Sequence, residues 1–192
     1  KSIPLFLPKP YPEYLEVRGE VLMSKNTLIA LNKKNEKEGK TIFANTRNAS
    51  AGSLRQLDPK LSAERKLDFF AYDIAGIIFA SPKNNFLGPR KGVSQTLKNY
   101  FSVPQKHSEK HKYLRELGFK VENNDAICKN LAEVIDFIKK FGKIRPNFSY
   151  GTDGIVVSVD DLKLQEILGV VGKAPRYMSA FKYPAEKATT IV

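Results

Sequence analysis

The chain has 192 residues, 42% of them hydrophobic and 27% charged, a size and balance that suit one ordinary domain or one domain missing a piece. Its 32 Lys and Arg against 20 Asp and Glu leave a net charge of +12, which favours a polyanionic partner, nucleic acid before an acidic membrane surface; a solvated lysine-rich surface is the plainer alternative. One cysteine excludes an internal disulfide, and Cys128 with only His107 and His111 cannot complete a tetrahedral zinc site.

Cys128 is therefore expected to be a small buried hydrophobe in a reducing compartment. No run approaches the roughly 20 apolar residues of a membrane span, and no signal-peptide pattern precedes the domain, so a cytoplasmic protein without membrane contact is expected. Residues 1–12 carry Pro4, Pro8, Pro10 and Pro12 and read as an extended connector; with no initiator Met, the chain is expected to have begun further upstream.

Residues 14–23 alternate as a strand, with Leu15, Val17, Val21 and Met23 on one face and Glu16, Arg18 and Glu20 on the other. Ser24 then opens a helix predicted to reach about Glu38, with Gly39 as its stop. A second helix is predicted over 48–57, crowded with Ala49, Ser50, Ala51, Gly52 and Ser53 and closed by Asp58-Pro59; side chains this small let another element or a ligand approach the backbone. Residues 67–74 form a nearly continuous apolar run, predicted to be a central strand buried on both sides.

Residues 80–107 contain Pro82, Gly88, Pro89, Gly92 and Pro104 and read as an insertion or long loop, with a short helix at 94–100. Ser108 is read as the cap of a helix ending at Gly118, followed by a brief strand over 119–122. Asn130 and Glu133 make a capping-box-like start, after which Leu131, Val134, Ile135 and Ile138 have the spacing of an amphipathic helix that stops at Gly142. Asp153-Gly154 turns into a strand over 155–159, a helix follows over 161–168, and a last strand over 178–183 ends at Pro184. Strands and helices without regular βαβ alternation favour α+β with mainly antiparallel sheets, and the absence of a glycine-rich strand-to-helix turn argues against a Rossmann fold.

Four segments carry the chemistry. They are Leu15-Glu-Val-Arg-Gly-Glu20; Phe43-Ala-Asn-Thr-Arg-Asn-Ala-Ser-Ala-Gly-Ser-Leu-Arg-Gln-Leu-Asp-Pro59; Asp153-Gly-Ile-Val-Val157; and Gly172-Lys-Ala-Pro-Arg-Tyr-Met-Ser-Ala-Phe-Lys-Tyr-Pro-Ala-Glu186. In order and spacing they resemble the adenylation domain of the NAD-dependent DNA ligases, over residues 11–192 apart from 80–107. The resemblance implies that residues 1–183 are the C-terminal portion of an adenylation domain, with a nucleotidyltransferase fold of mixed, mainly antiparallel sheets, and that residues 184–192 are a linker and the start of an OB-fold domain.

It further implies adenylyl transfer from NAD to an enzyme lysine, then to the 5′-phosphate of a DNA nick, then sealing by the 3′-hydroxyl in replication and repair. The expected cofactors are NAD and Mg²⁺, with zinc only in a missing downstream domain; the expected partner is nicked double-stranded DNA, met by a monomer. Each step moves a phosphoryl group, so the protein's work is positioning and charge neutralisation.

By the same resemblance, Glu20 contacts the nucleoside or a metal, and Lys182 faces the α-phosphate from an apolar strand between Phe181 and Tyr183. Arg47 and Arg55 lie a little over two helical turns apart, so both can project to one side, and they match arginines that contact nick phosphates; a guanidinium fork suits two oxygens at once. Arg145 matches another family arginine. Asp153 matches an acidic residue acting through metal or phosphate contacts.

Two departures stand out. The family's nucleophile lies in a Lys-x-Asp-Gly motif that this chain lacks, Gly151-Thr-Asp-Gly154 being the nearest string, so the chain by itself is expected to be an inactive fragment. Where the family carries a lysine after the Asp153 segment, Ser158 stands here, offering a hydrogen bond but no charge, at a position expected to touch the nucleotide. The rival readings are an ATP-dependent ligase or capping-type nucleotidyltransferase, against which the 44–59 and Lys-Ala-Pro-Arg segments argue, and a catalytically inactive basic DNA-binding module.

Overall fold

The computed structural model describes residues 2–9, 11–79 and 104–184. The predicted loop over 80–103 with its helix at 94–100, and the predicted OB-fold start beyond Pro184, lie outside the described residues. The chain divides into two compact units. The first comprises Lys1–Glu20, Phe69–Asn124 and Asp160–Ile167, and the second Val21–Asp68, Asp125–Val159 and Leu168–Val192.

In the first unit, strand β1 (Tyr14–Leu22) pairs with β2 (Asp68–Ile78). Along β1 every charged side chain is exposed while Leu15 and Val17 are half-buried, the expected alternation. Gly19 is needed for close approach, since a Cβ there would lie 2.5 Å from the Phe70 carbonyl oxygen. β2 is longer than the predicted 67–74 run and is not buried on both sides: Ala71 and Ile74 enter the core while Tyr72 is 52% exposed.

Helix α4 (His107–Glu116) closes this core with Tyr113 and Leu114, joined by Leu117 and Val121. Its N-cap is Lys106 rather than Ser108. Ser108 sits within the first turn, where its backbone N–H and hydroxyl both donate to the Asp160 carboxylate at 2.8 and 3.0 Å. Residues 119–122 are not a strand; one ladder-like bond remains, from the Ala71 N–H to the Lys120 carbonyl at 2.8 Å.

In the second unit, helix α1 (Lys25–Lys37) starts on the Ser24 cap, whose hydroxyl accepts from the Thr27 N–H, and ends before Gly39 at φ +64°. Helix α2 (Thr46–Leu54) begins earlier than predicted, because the Asn45 side chain caps it. Asp58-Pro59 does not close a helix but opens a further one, α3 (Pro59–Glu64): the Asp58 carboxylate accepts from the Lys60 N–H, and proline suits the first helical position. The small residues of α2 serve packing, with Ala49, Ser50 and Ser53 buried.

Helix α5 (Leu131–Ile144) takes the predicted Asn130 cap but runs through Gly142 into a 3-10 turn at Arg145–Asn147. Its Phe141 is buried and meets Phe137, Phe148 and Tyr183 in an aromatic cluster. Strand β3 (Gly154–Ser158) pairs antiparallel with β6 (Met178–Lys182), and a hairpin of β4 (Val170–Val171) and β5 (Ala174–Pro175), also antiparallel, was not predicted; Gly172 at φ +60° makes its turn. Helix α6 (Leu162–Leu168) precedes that hairpin.

Cys128 is half-buried rather than buried. The architecture is α+β with small antiparallel sheets, each of two strands among the described residues.

Candidate functional site

The register of β3 and β6 sets out the site. Gly154 lies opposite Lys182, Val156 opposite Ala180 and Ser158 opposite Met178. Directly opposed residues of an antiparallel pair share a face, and residues two apart along a strand share it too. One face therefore carries Lys182 at one end, Ser158 and Met178 at the other, and Val156 and Ala180 between them. Val156 is 64% exposed and Met178 40%, so this is an open apolar floor with a cation at its edge. The opposite face carries Ile155 and Phe181, and Phe181 meets the Tyr183 ring edge-on at 5.2 Å.

Gly154 permits the pairing at this edge. A Cβ there would lie 2.3 Å from the Phe181 carbonyl oxygen, so any larger residue would push the strands apart next to Lys182.

Asp153, one residue before β3, gathers the cations. Its Oδ2 lies 3.8 Å from Lys182 Nζ and 3.8 Å from Arg47 Nη1, with the Asp153 and Lys182 side chains each 72% exposed. At that exposure each pair contributes at most about 1 kcal/mol, so the cluster is a geometric arrangement more than a source of stability. It does hold two cations around one anionic group, the arrangement that a phosphate oxygen would require. The sequence joined Lys182 to an apolar strand interior; β6 is in fact exposed throughout, and Lys182 stands at its solvent edge.

Arg145 stands beside this group. Its Nη1 donates to the Thr152 carbonyl at 2.9 Å, and its guanidinium lies 4.7 Å from the centre of the Tyr183 ring. Arg47 belongs to the first turn of α2, and Arg55 is that helix's C-cap, so the two mark opposite ends of one short helix. Ser158 sits four residues along β3 from Gly154, roughly 13 Å at strand rise, and is far from the Lys182 edge. Its hydroxyl reaches the Val159 carbonyl at 3.4 Å.

Glu20 belongs to the first unit, exposed on β1 two residues beyond Arg18, which lies 4.0 Å from Glu16. Thus Arg47, Asp153 and Lys182 come together, with Arg145 joined through Thr152 and Tyr183.

Sequence reasoning named Gly142 only as a helix stop and Tyr183 only as the strand neighbour of Lys182, without a part in the site. Tyr183 donates its backbone N–H to the Asp153 carbonyl at 3.0 Å and its hydroxyl to the Ile138 carbonyl. Burial pushes the Tyr183 phenol above its ordinary pKa. The signal available was a glycine in the last turns of an apolar helix, where alanine would have been the better helix former.

The family description "NAD-dependent DNA ligase adenylation domain" matches residues 1–186. The chain is 43% identical over 190 residues to a DNA ligase of Bacillus cytotoxicus, covering 99% of this chain and 25% of that protein. DNA ligases of Bacillus cereus strain AH820 and Bacillus thuringiensis strain Al Hakam are each 40% identical over 190 residues, with the same coverage. The chain thus spans about a quarter of the length of these curated relatives. Among the described residues no helix is long and apolar enough to cross a membrane. With its four sequence segments matched along nearly the whole chain, the protein belongs to the NAD-dependent DNA ligase adenylation domain family.

Proposed function

We propose that this chain is the nucleotidyltransferase part of an NAD-dependent DNA ligase, and that the β3–β6 face receives the adenylate. The observation that carries the reading is the group of Arg47 and Lys182 around Asp153, at 3.8 Å each, on the edge of an exposed apolar strand face. A nucleobase can lie on Val156 and Ala180 while its phosphate meets Lys182. The family resemblance gives Glu20 of β1 the role of a nucleoside contact, and Ser158 supplies a hydroxyl at the far end of the β3–β6 floor. Arg47 and Arg55 contact the phosphates of nicked duplex DNA, and Arg145 supports the phosphate end. Residues 184–192 lead into an OB-fold domain.

The reaction begins when the amine of a lysine outside these 192 residues attacks the α-phosphorus of NAD. An N–P bond forms, the pyrophosphate P–O bond breaks, and nicotinamide mononucleotide leaves. Lys182 neutralises charge that develops on the α-phosphate oxygens, where a fixed cation in a pre-arranged site counts most. Asp153 holds Lys182 and Arg47 near one another, and a phosphate oxygen replaces it as their shared anion.

Mg²⁺ is the counter-ion that the family implies, and when bound it would supply charge neutralisation at the phosphates. The donor set at the β3–β6 edge does not suit it: Asp153 is one carboxylate already faced by two cations, and Mg²⁺ asks for near-octahedral oxygen ligation. No step is therefore assigned to a metal held by Asp153.

The test is adduct formation with NAD labelled in its adenylate, read on denaturing gels. The complete protein containing this chain becomes labelled and releases nicotinamide mononucleotide, and ATP does not substitute. The 192-residue chain takes no label. A stable labelled band on the chain alone would require another lysine as nucleophile, and labelling of the complete protein by ATP in place of NAD would reject the reading.

A further inference from the structure

Lys182 ends a strand that is exposed along its whole length, so its sheet neighbours do little to fix where the ammonium stands. The next residue is held far more firmly. The Tyr183 ring stacks on Phe141 at 6.4 Å with planes 15° apart, and Phe181 meets its side. Its hydroxyl donates to the Ile138 carbonyl, and the Arg145 guanidinium lies over the ring, 4.7 Å from its centre. The ring fits against α5 only because position 142 is glycine: a Cβ there would lie 2.9 Å from Tyr183 Cε1.

We propose that Tyr183 is the positioning residue of the site: its ring, wedged into the Gly142 notch of α5, sets the placement of Lys182, Asp153 and Arg145 together. The inference rests on the ligase reading above and extends it. Three links leave the one ring. The peptide bond to Lys182 fixes the end of β6. The backbone bond to the Asp153 carbonyl, 3.0 Å long, fixes the start of β3. The face of the ring receives Arg145, whose Nη1 in turn holds the Thr152 carbonyl at 2.9 Å, one residue before Asp153. Stacking and cation–π contact need the ring and not the hydroxyl, so the aromatic surface does the positioning.

The test uses single-turnover adenylation of the complete ligase, with thermal unfolding measured alongside. Tyr183→Leu lowers the chemical rate about ten- to a hundredfold, because a displacement of order 1 Å at a phosphoryl-transfer site has such an effect, while KM for NAD moves by less than about threefold. Tyr183→Phe keeps the rate within about threefold of wild type, because the ring remains. Gly142→Ala slows adenylation in the same sense as Tyr183→Leu; alanine is the better helix former, so α5 itself is not weakened.

Combining Tyr183→Leu with Lys182→Ala adds less to the loss from Lys182→Ala than Tyr183→Leu costs the wild type, since part of the tyrosine's effect runs through the lysine. If Tyr183→Leu fails to fold, Gly142→Ala decides. The proposal is overturned if Lys182→Ala is slow while the Tyr183→Leu and Gly142→Ala enzymes keep near wild-type rates, or if the double variant shows the full product of the two losses. A Lys182→Ala enzyme with a near wild-type rate would instead reject the ligase reading on which the proposal rests.

Discussion

Lys182 and Ser158 stand at opposite ends of one strand face, and their chemistry separates them further. Only Lys182 brings charge, and of the two only Lys182 lies within reach of Asp153. The loss of one well-placed electrostatic contact at a developing oxyanion typically costs about 3–4 kcal/mol. Lys182→Ala in the complete ligase should therefore slow adenylyl transfer by roughly two to three decades. Ser158→Ala removes one hydroxyl bond, nominally about 1 kcal/mol, and should reduce the rate less than about tenfold. Single-turnover adenylation rates decide; a Ser158→Ala enzyme slower than Lys182→Ala would reverse the assignment of the phosphate end of the face.

Among the elements, α4 shows how a helix terminus can tie stability to pH. His107 is its first residue, at the positive end of the helix dipole, with its N–H donating to the Asp160 carbonyl at 2.7 Å. Burial lowers the His107 pKa below its ordinary 6.5, and the neighbouring His111 lowers it further, against an upward pull from Asp73. The neutral imidazole is thus favoured by folding. Its stabilising effect is complete above the unfolded value of about 6.5 and is lost as pH falls through the lower folded value, because the unfolded chain binds the proton first.

Urea midpoints of the 192-residue chain should consequently fall as the pH drops below about 6.5 and through the lower folded value. His107→Gln should flatten that part of the profile. A variant whose midpoints decline as steeply as those of wild type would remove His107 as the cause.

For the whole molecule the dominant property is the net charge of +12. A chain of this charge that meets duplex DNA through phosphates releases counter-ions, and log K should fall by about 0.9 per contact for each decade of salt. Arg55 at the end of α2 is one proposed contact, and Arg55→Ala should weaken binding and lower that slope by about one. The measurement is a salt titration of the 192-residue chain on a nicked duplex. An affinity that stays the same between low and physiological salt would mean that the lysines and arginines serve only as a solvated surface.

What the sequence determined by itself was local. The two-residue alternation of β1, the Ser24 and Asn130 caps, the Asp153-Gly154 entry into β3 and the family segments are written in consecutive residues, and periodicity or cap chemistry reads them directly. The tertiary structure decided what periodicity leaves open. An apolar run says that a strand can pack and not how many of its faces are covered, so β2 and β6 turned out wetter than their composition implied. Asp58 carries the same cap chemistry whether a helix is closing before it or opening after it, and only the fold of the following turn distinguished the two.

The grouping of Arg47 with Asp153 and Lys182 joins residues from α2, the turn before β3 and the end of β6, and depends on strand register and helix docking that no single segment encodes. The Gly142 notch is of the same kind. Within α5 alone that glycine weakens a helix; only when Tyr183 arrives from a distant part of the chain does the missing Cβ acquire its purpose, because the ring needs the space that the side chain would fill.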